Sequence, residues 1–115
     1  MRKQMIENAA YEVATQVRSV EDSIDAALAE IAELQGRMMR ARSLATVSVA
    51  TGQEALQQLV VATQALVGAR GSMAGCHAAL VLAKDEVPGL RTVAFGEPDE
   101  CPPPKGLDNH LRIVA

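Results

Sequence analysis

From Ile6 onward the apolar residues return at alternating steps of four and three: Ile6, Ala10, Val13, Val17, Val20, Ile24, Ala27, Ile31, Leu34, Met38, Ala41 and Ala45. A stripe of that period follows one face of an α-helix with heptad spacing. It predicts one long helix over about residues 4–45, roughly 60 Å at ~1.5 Å per residue. Charged residues fill the other faces, with Arg18 and Asp22, and Glu33 and Arg37, at the i,i+4 separation of solvated helix pairs.

The β-branched run TVSV at 46–49, followed by Ala50, Thr51 and Gly52, lowers helix propensity and predicts a turn. Thr51 and Glu54 have capping-box spacing, so a second helix is expected over about 52–87, stopped by Pro88 and Gly89. Gly68, Gly71 and Gly75 admit two readings. One is a break near 68–72 with Ser72 as a new N-cap. The other, adopted here, is a continuous or kinked helix in which Gly68, Ser72, Gly75, Ala79 and Ala83 share one face, a small-residue strip that lets another backbone approach closely.

The two helical segments differ in charge. Between Ser43 and Ala83 the only charged side chains are Glu54 and Arg70, and apolar residues occupy nearly every face of the second helix. A helix that is apolar all round must be buried all round, whereas one partner helix covers one stripe only. The expected fold class is therefore all-α: a long antiparallel helical hairpin over residues 1–87, completed into a helical bundle by self-association or by another helical protein.

Residues 88–115 change character. The stretch GEPDECPPPKG is a proline-rich linker, flanked by the near repeats LRTVA (90–94) and LRIVA (111–115), which predict two short strand-like segments at 90–95 and 111–115. Such segments suit strand addition to a partner, with Leu90, Val93, Phe95, Leu111 and Ile113 as the contacting side chains.

Composition sharpens this picture. One Tyr, one Phe and no Trp in 115 residues leave burial to small and aliphatic side chains, which favours close helix packing over a β-sandwich. A net charge of −3 supplies no general pull toward nucleic acid or anionic lipid. The N-terminal stretch lacks the apolar core of a signal peptide, and the longest uninterrupted apolar runs, such as AALVLA at 78–83, fall far short of a membrane span. A cytoplasmic protein with reduced thiols and no membrane span is expected.

Four residues offer candidate chemistry: Cys76, His77, Cys101 and His110 are all the cysteines and histidines in the chain. They include metal-ligating types, but neighbouring helix residues point about 100° apart, and neither CxxC nor HxxxH spacing is present. Helical phase instead sets Cys76 and His77 on either edge of the stripe Leu66, Met73, Leu80 and Val87, with Cys76 a small buried residue and His77 at the boundary. Arg37, Arg40 and Arg42 in RMMRAR close the first helix. They suit phosphate contact or, better, antiparallel self-pairing against the acidic residues Glu21 to Glu33, centred near Ile31.

The residues thus point to a non-enzymatic interaction module, an adaptor, inhibitor or assembly subunit, that binds itself and another protein. Its expected contacts are Leu56, Leu59, Leu66, Met73, Cys76, His77 and Leu80, the strip Gly68, Ser72, Gly75 and Ala79, and the tail. No cofactor, metal or small-molecule substrate is expected. The alternatives are a nucleic-acid-binding regulator using RMMRAR, and a metal or thiol site built from Cys76, His77, Cys101 and His110.

Overall fold

The computed structural model describes residues 2–90. It consists of two α-helices, α1 (Arg2–Ala45) and α2 (Gln53–Lys84), with no strand among the described residues. α2 is unbroken through 68–72, so Ser72 caps nothing. The expected tail segments lie outside the described residues, apart from Leu90.

α1 ends where the β-branched run begins. Thr46 takes φ +50°, the left-handed conformation that terminates a helix and that normally falls to glycine. A threonine there is strained because its branched Cβ crowds the backbone, and its hydroxyl turns back onto the Ala45 carbonyl at 2.8 Å. The bend is then closed by backbone bonds from the Thr51 amide to the Ser48 carbonyl (3.1 Å) and from Gln53 to Ala50 (3.2 Å). Arg42, in the last turn of α1, reaches across it: its Nε donates to the Thr51 carbonyl at 2.9 Å and its terminal nitrogen to the Ser48 carbonyl at 2.7 Å. A guanidinium is suited to this because it holds several donors in one plane.

The capping box expected at Thr51 and Glu54 does not form. Gly52, at φ +81°, is the residue whose carbonyl accepts the first helical bond, from Leu56 at 3.0 Å, so the true N-cap lies one residue later than the spacing implies. Displaced by one place, the Thr51 hydroxyl pairs with that of Ser48 at 3.2 Å, and the Glu54 carboxylate accepts from Gln58 at 3.3 Å.

Contacts divide the described residues into two compact units, one pairing the start of α1, up to Val20, with residues 74–90, the other comprising Glu21–Met73. In the Glu21–Met73 unit, the Ile24, Ala27, Ile31 and Met38 side of α1 and the Leu56, Leu59, Leu66 and Met73 side of α2 are each withdrawn from solvent, although only Leu59 is buried. Asp25 and Arg70 bridge the helices at 2.8 Å. That hydrogen bond, and then the charge of Asp25, hold the Arg70 guanidinium above its ordinary pKa. The sign is that of a cation gaining a partner, so what Arg70 contributes is present below its ordinary pKa and fades as pH rises into strong alkali. Both side chains are more than half exposed, and the pair sets register more than it adds stability.

In the other unit, Ala14 and Val17 of α1 and Leu90 are buried. α2 ends at Lys84 rather than near Val87. The amides of Asp85, Glu86 and Val87 bond to carbonyls three residues back, which tightens the chain out of α geometry ahead of Pro88, a residue that disfavours helix at the position before it. Pro88 and Gly89 (φ +91°) then make a turn closed by the Leu90 amide on the Val87 carbonyl at 3.2 Å. This turn delivers Leu90 to the interior.

Replacing Thr46 by glycine should remove the left-handed strain and raise stability by about 1 kcal/mol despite the freer unfolded chain. Urea denaturation followed by circular dichroism checks this; a lower midpoint would show that the threonine conformation carries no strain.

Candidate interaction surface

α2 has only three charged residues, Glu54, Arg70 and Lys84, and two sides of different fate. Leu56, Leu66, Met73 and His77 are half-buried and Leu59 is buried, which places these expected contacts on the inward side. Gly68, Ser72, Gly75 and Ala79 are exposed, and Leu80 is borderline at 37%. A Cβ built on Gly68, Gly71 or Gly75 would meet nothing within 4 Å. The small-residue strip therefore packs against no part of the described chain.

Cys76 departs from expectation. It is exposed, not buried, because the inward side of α2 is centred on Leu59, Arg70 and His77, about a quarter-turn from Cys76. His77 is half-buried, on the inward side of α2. Leu90 departs as well: expected as a contact for a partner, it is only 6% exposed and packed within its own unit. Val93, Phe95, Leu111 and Ile113 of the expected tail contacts, with Cys101 and His110, lie outside the described residues.

Sequence reasoning missed the largest exposed residues of α2. Val60, Val61, Val67 and Leu82 are 48–71% exposed, with Leu44, Val47 and Val49 also open at the end of α1 and in the bend. The signal was present in helical phase, since Val61 and Leu82 stand opposite the Leu59 side. α2 is also long and apolar enough to cross a membrane by length and composition, with a hydropathy of 1.3 over an 18-residue window. No single run approaches twenty residues, and every 18-residue window of α2 includes Arg70; the aliphatic residues on either side of it keep the average high.

The three arginines at the end of α1 have partners within the chain. Arg37 and Arg40 lie 3.0 and 3.5 Å from the Glu33 carboxylate, and Arg42 is committed to the bend. Arg37 and Arg40 keep most of their surface in solvent. Among the described residues no group of three or more His, Cys, Asp or Glu side chains is placed to hold a metal ion.

The unit formed by the start of α1 and the end of α2 contains an apolar cavity of about 190 Å³. It lies between Ala10, Ala14 and Val17 of α1, His77, Leu80 and Ala83 of α2, and Val87 and Leu90 beyond it. Three of its lining residues, Ala10, Ala14 and Ala83, are alanines, whose single methyl groups leave space that longer side chains would fill. It has room for a small apolar group and offers almost no polar atom to orient one.

No protein-family model matches the chain, and no match is found among curated proteins or among solved structures. The functional reading rests on this geometry alone.

An Ala10→Leu change should fill part of the cavity and stabilise the protein by roughly 1–2 kcal/mol, the value of burying a few methylenes. Thermal denaturation at fixed protein concentration checks it; an unchanged or lower midpoint would show that the space is closed in solution.

Proposed function

We propose that this protein is a non-enzymatic helical interaction module that self-associates and docks a protein partner through the outward side of α2, with the tail as a further contact. It would serve as an adaptor, inhibitor or assembly subunit in the cytoplasm. One observation supports the reading above the others: Val60, Val61, Val67 and Leu82 stand in solvent on a helix with almost no charge, while Leu59 is its only buried residue. Burying a fully exposed side chain of this size is worth about 1.5–3 kcal/mol, of which these forgo roughly half. A second helical surface would recover part of that.

Protein is favoured over lipid as the cover by Arg70. It sits within α2 and is held by Asp25 of α1, a helix with charges along its length. Carrying that ion pair and the charged helix attached to it into hydrocarbon would be costly.

Sedimentation equilibrium at micromolar concentration should show a dimer or larger species. Val61→Asp combined with Val67→Asp should weaken its association by about tenfold or more, by burying charge at the contact. A monomer that binds no apolar dye would overturn the proposal, as would cosedimentation with neutral lipid vesicles in place of self-association.

A further inference from the structure

We propose that the apolar cavity between the start of α1 and the end of α2 is the seat of the chain's own Phe95, which folds back from the tail to fill it. Every residue that lines the cavity belongs to one compact unit, the one made of the start of α1 and the chain after Met73. The inference does not depend on self-association, and it leaves Leu111 and Ile113 as the tail residues for a partner.

The chain leaves the described fold at the cavity itself. Leu90, the last described residue, is 6% exposed and forms part of the wall. Its place is fixed by the turn before it. The Leu90 amide donates to the Val87 carbonyl at 3.2 Å, and Gly89, at φ +91°, sits against α1, where an added Cβ would come 3.7 Å from Lys3 Cγ. Residues 91–115 therefore start from the cavity wall.

The nearest large apolar side chain beyond that wall is Phe95, the only phenylalanine in a chain without tryptophan, five residues after Leu90. Five residues reach about 17 Å. The cavity runs along α1 from Ala10 to Val17, roughly 10 Å at ~1.5 Å per residue, so a chain that doubles back can set the ring anywhere in it. Leu111 and Ile113 are also apolar, but they stand more than twenty residues from Leu90, and the entropy of closing a loop rises with its length.

Size and chemistry agree. The cavity holds about 190 Å³ and presents almost no polar atom, as suits an unsubstituted ring. An apolar cavity of about 150 Å³ accepts benzene. A ring seated beside Ala14, Val17 and Leu80 thus leaves the Ala10 end of the cavity for the leucine substitution considered above. The tether decides between occupants. A short flexible link gives the ring an effective concentration on the order of millimolar at the cavity, far above that of a second copy at micromolar concentration.

Two readouts in the full-length chain test the seat. Because the protein has no tryptophan, Phe95→Trp supplies a single reporter. Its emission should be blue-shifted and shielded from acrylamide, equally at every protein concentration. Adding Ala14→Leu should return it to the emission of indole in water, with the helix content unchanged by circular dichroism. Whether or not an indole fits, Phe95→Ala should lower the thermal midpoint by about 5 °C, whereas Leu111→Ala leaves it unchanged. Benzene should then raise the midpoint of Phe95→Ala, by taking the ring's place, and not that of the unmodified chain. An unchanged midpoint in Phe95→Ala, or an equal fall in Leu111→Ala, would overturn the proposal. So would shielding that disappears on dilution, which would seat Phe95 on a second copy, or an equal effect of benzene on both chains, which would mean a cavity open to free ligand.

Discussion

α1 covers one side of a helix that is apolar on every side. This mismatch governs the rest of the molecule. α1 resolves its own surface in the ordinary way, with an apolar stripe inward and charges outward. α2 has no comparable polar face: leaving Arg70 aside, the residues from Ala55 to Ala83 are aliphatic, small or uncharged polar. Burial is accordingly thin, with Ala14, Val17, Leu59 and Leu90 the only buried apolar residues among those described. So few buried side chains set against the entropy of ordering two long helices leave little margin.

What specificity the chain has comes from a few polar contacts at defined places. The Asp25–Arg70 pair fixes which turn of α2 lies beside which turn of α1, a role that the repetitive aliphatic packing around it performs poorly. Arg42 does similar work at the bend, where it ties the Thr51 carbonyl and adds a second bond to the Ser48 carbonyl that the Thr51 amide already reaches. Neither contact is buried. Each directs geometry more than it contributes stability, as expected of exposed ion pairs and surface hydrogen bonds.

The long elements were legible because periodicity survives averaging. The four-three stripe located α1, with only Val13 and Leu34 of its middle positions left exposed, and the β-branched run located the bend. Details that depend on a single residue's phase were not legible. The cap was misplaced by one position because Thr51 and Gly52 are both acceptable N-caps, and only the backbone decides between them. α2 closed three residues early because Pro88 acts on the residues before it. Cys76 was judged from the Leu66 to Val87 stripe, whose positions drift to one edge of the true contact side, so an apparently inward cysteine faces water. The cavity escaped notice because it arises from alanines on two distant stretches that meet only in three dimensions.

The reach of Arg42 also bears on how the chain finds its fold. Its two acceptors lie six and nine residues away, so the bend closes over a very short loop. Segments of that length meet within about 10–100 ns, and each doubling of separation adds only ~0.6 kcal/mol of closure entropy. Once the bend is set, pairing proceeds residue by residue from neighbours already held close, and the contacts of Ala10 and Ala14 with the far end of α2 become the last step of a zipper. The topology is therefore kinetically undemanding despite its sparse interior.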